Sequence, residues 1–194
     1  ELLNNGFQTV KPGEKADLCI INTCSVTETA DKKDRQAIKQ MIGKHPDAYI
    51  VVIGCYAQLK PEEISKIEGV DLIIGTQNKF DLPNLLENME KKKASQIIHT
   101  PRKEIDRFFP SCTRGDRTRY WLKVQDGCDN FCSYCTVPIA RGKSRNGSIQ
   151  STVEQATIAA REGAKEIVIS GVNIGDFGKT TGENLLQLIQ ALDK

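Results

Sequence analysis

Three continuous apolar runs constrain the first half of this chain more than anything else in it: Leu18-Cys-Ile-Ile21, Tyr49-Ile-Val-Val-Ile53 and Asp71-Leu-Ile-Ile-Gly75. Each is too short for a helix and lacks the polar alternation of a sheet with one wet face. Each therefore reads as a parallel strand buried on both sides. Helical signals fall between them. Thr27 or Thr29 suits the N-cap of a helix whose apolar positions are Ala30, Ala37, Ile38, Met41 and Ile42, ending near Gly43 and before Pro46. Pro61-Glu-Glu opens a second, shorter helix, with proline in the first turn and two acids at the positive end of the dipole. Phe80 to Met89 reads as a last helix interrupted at Pro83, and Phe7-Gln-Thr-Val10 as a short strand. This β-α-β-α order predicts an α/β fold: a three-layer parallel α/β domain over residues 1–92.

Residues 93–118 hold no period and contain two prolines, so they read as a linker. In it, Phe108 and Phe109 suit packing onto a domain better than base stacking, and Cys112 has no thiol neighbour in sequence. A second domain is expected over 119–194. An apolar run (Tyr120, Trp121, Leu122, Val124) predicts a strand that stops at the turn dipeptide Asp126-Gly127. Ser151-Thr-Val-Glu154 has capping-box spacing for a helix that stops at Gly163. Glu166-Ile-Val-Ile-Ser170 is a further strand, followed by the Gly-rich loop 171–178. One strand, a helix and a second strand make the opening of a (β/α) barrel, a fold that gathers its chemistry at the carboxyl ends of its strands. The Gly-rich loop matches neither G-x-G-x-x-G nor a P-loop.

Seven cysteines are the chemical signature of the chain. An odd number, clustered and without a secretory signal, reads as metal-binding thiols in a reducing cytoplasm. Cys128, Cys132 and Cys135 follow the Asp126-Gly127 turn at spacings of four and three, in a polar loop where core cysteines are uncommon. Three thiolates in one loop suit a metal, either zinc or three irons of a cubane cluster with the fourth iron left open. Cys24 and Cys55 stand at the carboxyl ends of two predicted strands, where ligands of open parallel sheets collect. Cys19, inside an apolar run, reads as a small buried hydrophobe. His45 and His99, the only histidines, are most simply surface residues and offer no nearby fourth zinc ligand.

Charge separates the chain into parts. The net charge is +2, yet residues 91–145 carry 13 Lys/Arg against five Asp/Glu, a local balance of +8. A basic middle beside a metal loop suits a polyanion such as RNA. Arg141, Lys143 and Arg145 stand just after the cysteines and are candidates for holding a carboxylate or phosphate. No apolar run approaches the ~20 residues that span a bilayer, so no membrane role is expected. Glu1 to Gly6 reads as the last turn of a helix, and Leu185 to Leu192 begins another near the end, so the expectation is an internal fragment of a longer protein.

Taken together, Ile20-Ile-Asn-Thr-Cys24, Gly54-Cys55-Tyr-Ala-Gln58, the Cys128/Cys132/Cys135 loop with Tyr134 before its last cysteine, Val137-Pro-Ile-Ala-Arg-Gly142 and Gly171-Val-Asn173 resemble the methylthiotransferase family of radical S-adenosylmethionine enzymes. The resemblance implies two 4Fe–4S clusters. One, on Cys128, Cys132 and Cys135, would bind S-adenosylmethionine at its open iron and generate the radical. Tyr134, Arg141, Gly171 and Asn173 would contact that cofactor. The second, in the N-terminal domain, supplies the sulfur; Cys24 and Cys55 match two of its ligands. The third implied ligand, a Gly-Cys near the first strand, falls upstream of Glu1, and Cys19 does not match it. The resemblance also implies a reducing electron donor and a tRNA anticodon stem-loop as partners. Among the family's substrates the motifs look most like the threonylcarbamoyladenosine type. Isopentenyladenosine in tRNA and an aspartate of a ribosomal protein are the alternatives. Two readings of other classes remain: a zinc-bearing RNA-binding module without catalysis, and a chain that folds its α/β half and binds no cluster.

Overall fold

The computed structural model describes residues 2–11, 13–87, 89–113 and 119–193. The chain divides into two compact units, residues 1–101 and 102–194.

The first unit is built on a four-stranded parallel sheet in the order β1-β2-β3-β4. Its strands are β1 (Leu18–Thr23), β2 (Tyr49–Gly54), β3 (Leu72–Ile74) and β4 (Gln96–Ile98). The predicted burial on both faces holds where it matters. Ile50, Val52 and Ile73 pack with Ile38 of α1 (Glu28–Lys44), with Tyr56 and Ala57 of α2 (Cys55–Leu59), and with Ile64 of α3 (Pro61–Ser65). Alternate residues of the same strands, Tyr49, Val51, Leu72 and Ile74, pack on the other side with Leu82 of α4 (Leu82–Leu85), with Leu86, and with Leu2 and Phe7. Thr27, not Thr29, caps α1: its hydroxyl accepts from the Ala30 N–H at 3.1 Å.

Three local expectations are corrected, and one helix appears that no sequence expectation covers. Phe7–Val10 is not a strand: Phe7 packs on the core while Val10 is exposed, and the segment pairs with no strand among the described residues. The helix expected over 80–89 reduces to a 3-10 turn (Asn78–Asp81) and the single turn of α4, with Pro83 in its first turn. Residues 55–59 coil into α2 directly at the end of β2. The stretch read as a linker supplies β4, whose short run Gln96-Ile-Ile98 becomes a strand by pairing with β3, and also β5 (Ser111–Cys112). Its last five residues, 114–118, lie outside the described residues, as do Glu1 and Lys194.

In the second unit β6 (Arg119–Lys123) pairs antiparallel with β5 and parallel with β9 (Glu166–Ser170). A two-residue ribbon joins β7 (Gln125–Asp126) to β8 (Arg145–Asn146). Between them lie the cysteine loop and α5 (Val137–Arg141). Helices α6 (Ile149–Arg161) and α7 (Leu185–Leu192) cover one face of the sheet around Leu122, Val124, Ala156, Phe177 and Leu188. The described residues of this unit thus contain one strand–helix–strand step with parallel strands and no closed barrel. Helix α6 starts earlier than the Ser151/Glu154 box implies. Ser148 is the N-cap and its hydroxyl accepts from the Ser151 N–H at 3.2 Å, because Gly147 and Ser148 end the ribbon there. The helix stops before Gly163, as expected, with the Ala164 N–H closing on the Ala159 carbonyl. Asn184 and Gln187 form a full capping box on α7.

Candidate thiol sites

The loop that carries three cysteines leaves the β7 ribbon through a tight turn. Gly127 has φ +71°, and a Cβ there would run into the Lys143 carbonyl, so only glycine fits. The Cys128 N–H then donates to the Gly142 carbonyl at 3.1 Å, which closes the loop at its base. Cys132 is exposed, Cys128 and Cys135 are half-buried, and none of the seven cysteines is in a disulfide. The Asn130 N–H points to the Cys128 sulfur at 3.4 Å, and the Cys135 N–H bonds the Cys132 carbonyl at 3.0 Å. Tyr134 is 84% exposed, so its ring is open to a ligand. Phe131 is also exposed, with the Arg102 guanidinium 4.6 Å from its ring centre.

The donor set fits an iron–sulfur cluster: three reduced thiols in one loop, none of them in the core. Among the described residues, no group of three or more His, Cys, Asp or Glu side chains already converges on one point. The fit is therefore one of donor chemistry and spacing.

A charge cluster sits under this loop. Asp126 takes Lys123 Nζ at 2.8 Å, Arg141 at 3.3 Å and Arg145 at 3.7 Å. Burial alone pushes the Asp126 carboxyl up, but Lys123, Arg141 and Arg145 together outweigh it and hold the group below the ordinary carboxylate range. Arg145 is buried, and its guanidinium also donates to the carbonyls of Arg107 (2.8 Å), Arg141 (2.6 Å) and Lys143 (3.0 Å). Of the three basic residues singled out in sequence, Arg145 thus holds the chain together, Arg141 faces an internal acid, and Lys143 is exposed.

At the carboxyl end of β9, Gly171–Asn173 forms a turn against the side chain of Gln125, which sequence reasoning passed over. Gln125 is fully buried and bonds the backbone on both sides of it. A cavity of about 260 Å³ opens there, lined among others by Trp121, Lys123, Gln125, Arg141, Ser170 and Gly171. Arg141 and Gly171, two of the residues predicted to meet the cofactor, thus share one cavity. One signal could have found Gln125: a lone uncharged polar residue at the end of an apolar strand, next to a turn.

In the first unit the strand register brings Cys24 and Cys55 to one edge. Thr23 of β1 lies opposite Gly54 of β2, and each cysteine follows its paired residue directly. Gly54 has φ +109°, and a Cβ there would meet the backbone of Thr23. The Thr23 hydroxyl donates to the Ile53 carbonyl at 2.7 Å. Cys24 is exposed and its N–H donates to Asp34 at 2.8 Å; burial pushes the Asp34 carboxyl up. Beside it, buried Asp31 takes the Ser25 hydroxyl at 2.7 Å and Lys60 at 2.9 Å. Gln58 ties the same edge: its oxygen accepts from the Thr76 N–H and its nitrogen donates to the Thr100 carbonyl, both at 3.0 Å. Cys19 is buried as expected, and burial pushes its thiol up. Cys112 is half-buried against the core of the second unit. His45 is half-buried and His99 exposed.

Comparison with known proteins shows what the chain is similar to. Residues 1–75 match the model of a family described as Uncharacterized protein family UPF0004, and the chain carries that domain. Over its whole length it is a homologue of tRNA methylthiotransferases. It is 35% identical to the threonylcarbamoyladenosine tRNA methylthiotransferase MtaB of Aquifex aeolicus, over 100% of this chain and 48% of that protein. With the MtaB of Bacillus subtilis the identity is 39%, over 97% of this chain and 42% of that protein. A tRNA-2-methylthio-N(6)-dimethylallyladenosine synthase of Thermodesulfovibrio yellowstonii is 30% identical over 97% of this chain and 44% of its own length. The chain therefore spans somewhat under half the length of the curated relatives it matches. No helix among the described residues is long and apolar enough to cross a membrane.

Proposed function

We propose that this chain carries the cluster-binding part of a tRNA methylthiotransferase that acts on N6-threonylcarbamoyladenosine next to the anticodon. The observation that carries the reading is the loop of three disulfide-free thiols that leaves the β7 ribbon and closes at its base on Gly142, the residue after Arg141, which with Gly171 lines a cavity. Homology to threonylcarbamoyladenosine tRNA methylthiotransferases supports it. In this reading Cys128, Cys132 and Cys135 hold a 4Fe–4S cluster, and Cys24 and Cys55 contribute to a second. A cubane cluster with one open iron would supply the electron that starts radical chemistry on S-adenosylmethionine.

The protein's own residues do the rest. Gly127 and the bond from Cys128 to Gly142 fix the base of the loop. Arg141, 43% exposed at its side chain while touching Asp126, lines the cavity and is the guanidinium that would meet a carboxylate of the cofactor. Tyr134 offers an open ring face, and Gly171 lines the cavity with Arg141. The basic balance of residues 91–145 favours the phosphates of an anticodon stem-loop. Dimethylallyladenosine is the second substrate reading, because a tRNA-2-methylthio-N(6)-dimethylallyladenosine synthase aligns over 97% of this chain.

The test is substrate choice. After anaerobic reconstitution, anticodon stem-loops bearing either modified adenosine are incubated with reductant and S-adenosylmethionine, digested and weighed. The proposal expects a methylthio group on the threonylcarbamoylated nucleoside. Its appearance on the dimethylallylated one alone would move the assignment to the second reading.

A further inference from the structure

A single buried amide joins the two loops of the candidate site. Gln125 is 1% exposed. Its nitrogen donates to the carbonyls of Asp126 at 3.0 Å and Gly127 at 2.7 Å, and to the Ser144 hydroxyl at 2.9 Å. Its oxygen accepts from the N–H groups of Val172 at 2.9 Å and Asn173 at 2.8 Å. The chemistry fixes the orientation: only the oxygen can take two N–H donors, and only the nitrogen can serve carbonyls. One end of the amide therefore grips the residue immediately before Cys128, and the other grips the turn after β9. Gly171 keeps the approach close, since a Cβ there would stand 3.0 Å from the Gln125 oxygen. A glutamine that merely filled the core would meet strand side chains; this one meets loop backbone on both sides. In a buried site each such bond is costly to leave unmade, so a shift of one loop is felt by the other.

We propose that Gln125 is a positioning residue that couples the thiol loop to the Gly171–Asn173 turn. Ordering the thiols around a metal sets the amides of Val172 and Asn173, and a ligand on that turn tightens the thiol loop by the same factor. The proposal rests on the reading of Cys128, Cys132 and Cys135 as metal ligands.

Hydrogen exchange read residue by residue tests it, on the chain without metal and after anaerobic loading with iron and sulfide. In the native chain, loading should slow exchange at Val172 and Asn173 by about 5- to 150-fold, the usual span for coupled sites. In Gln125→Met the two amides should exchange faster without metal, and loading should no longer slow them although iron is still bound. Gln125→Glu keeps the oxygen that accepts from Val172 and Asn173 and replaces the donor nitrogen with a second acceptor, so the amides should stay protected while the response to loading disappears. This second variant carries the comparison if the first does not fold. Iron binding by the native chain with no change at the two amides overturns the coupling alone. So does an undiminished response in either folded variant. A native chain that takes up no iron overturns the coupling together with the metal reading beneath it.

Discussion

The two thiol sites are assembled by different means. Cys24 and Cys55 are 31 positions apart in sequence, and the parallel register of β1 and β2 sets them on one edge. Cys128, Cys132 and Cys135 are neighbours in one loop, and buried polar side chains beneath it hold its base. The first site inherits its geometry from a sheet packed on both faces. The second depends on Gln125, Asp126 and Arg145, none of them apolar. A sheet-edge site should therefore fail through backbone clashes in the strands, and a loop site through loss of charges and amides under the loop.

The largest effect should come from closing the gap between β1 and β2. Gly54→Val puts a branched side chain at φ +109° against the Thr23 backbone. Urea unfolding should show the first unit destabilised by about 4 kcal/mol. A loss below ~1 kcal/mol would mean that the strand ends are not held this tightly.

Asp126→Asn should cost the second unit about 3 kcal/mol, because buried Arg145 would lose the larger of its two counter-charges and keep only Asp106. The same acid gives a pH signature. Its folded pKa lies below its unfolded value, so its contribution is complete above the unfolded range, near ~3.9, and is lost as pH falls through the folded value. Melting followed between pH 5 and pH 2 should fall more steeply for the native chain than for Asp126→Asn. Parallel curves would contradict the role given to the cluster.

A smaller effect sharpens the picture at α6. Ser148→Ala should cost about 1 kcal/mol as the loss of a cap, whereas Glu154→Ala should stay within ~0.5 kcal/mol. The reverse order would restore the cap at Ser151.

Much of this architecture was readable from residues alone, for definite reasons. The runs 18–21, 49–53 and 71–75 announced themselves because a strand covered on both faces has no polar positions to confuse the pattern. β4 did not, because three residues carry no period and its strand character comes from pairing with β3. Cysteine spacing pointed to the thiol loop, since so few roles suit three thiols in a polar turn. What supports the loop was hidden. Gln125 and Asp126 look like ordinary residues at a strand end, and only the return of β8 and of the Gly171 turn gives them their partners. Arg145 shows the converse: its position after the cysteines suggested ligand binding, while three backbone carbonyls occupy it.

Iron and acid-labile sulfide content, with the visible spectrum, tests the central claim most directly. It is measured after anaerobic reconstitution on the native chain and on Cys132→Ala, the exposed member of the loop. The account predicts about four irons per chain bound through the loop and lost in the variant. Zinc in place of iron, or iron that Cys132→Ala leaves undiminished, would contradict it.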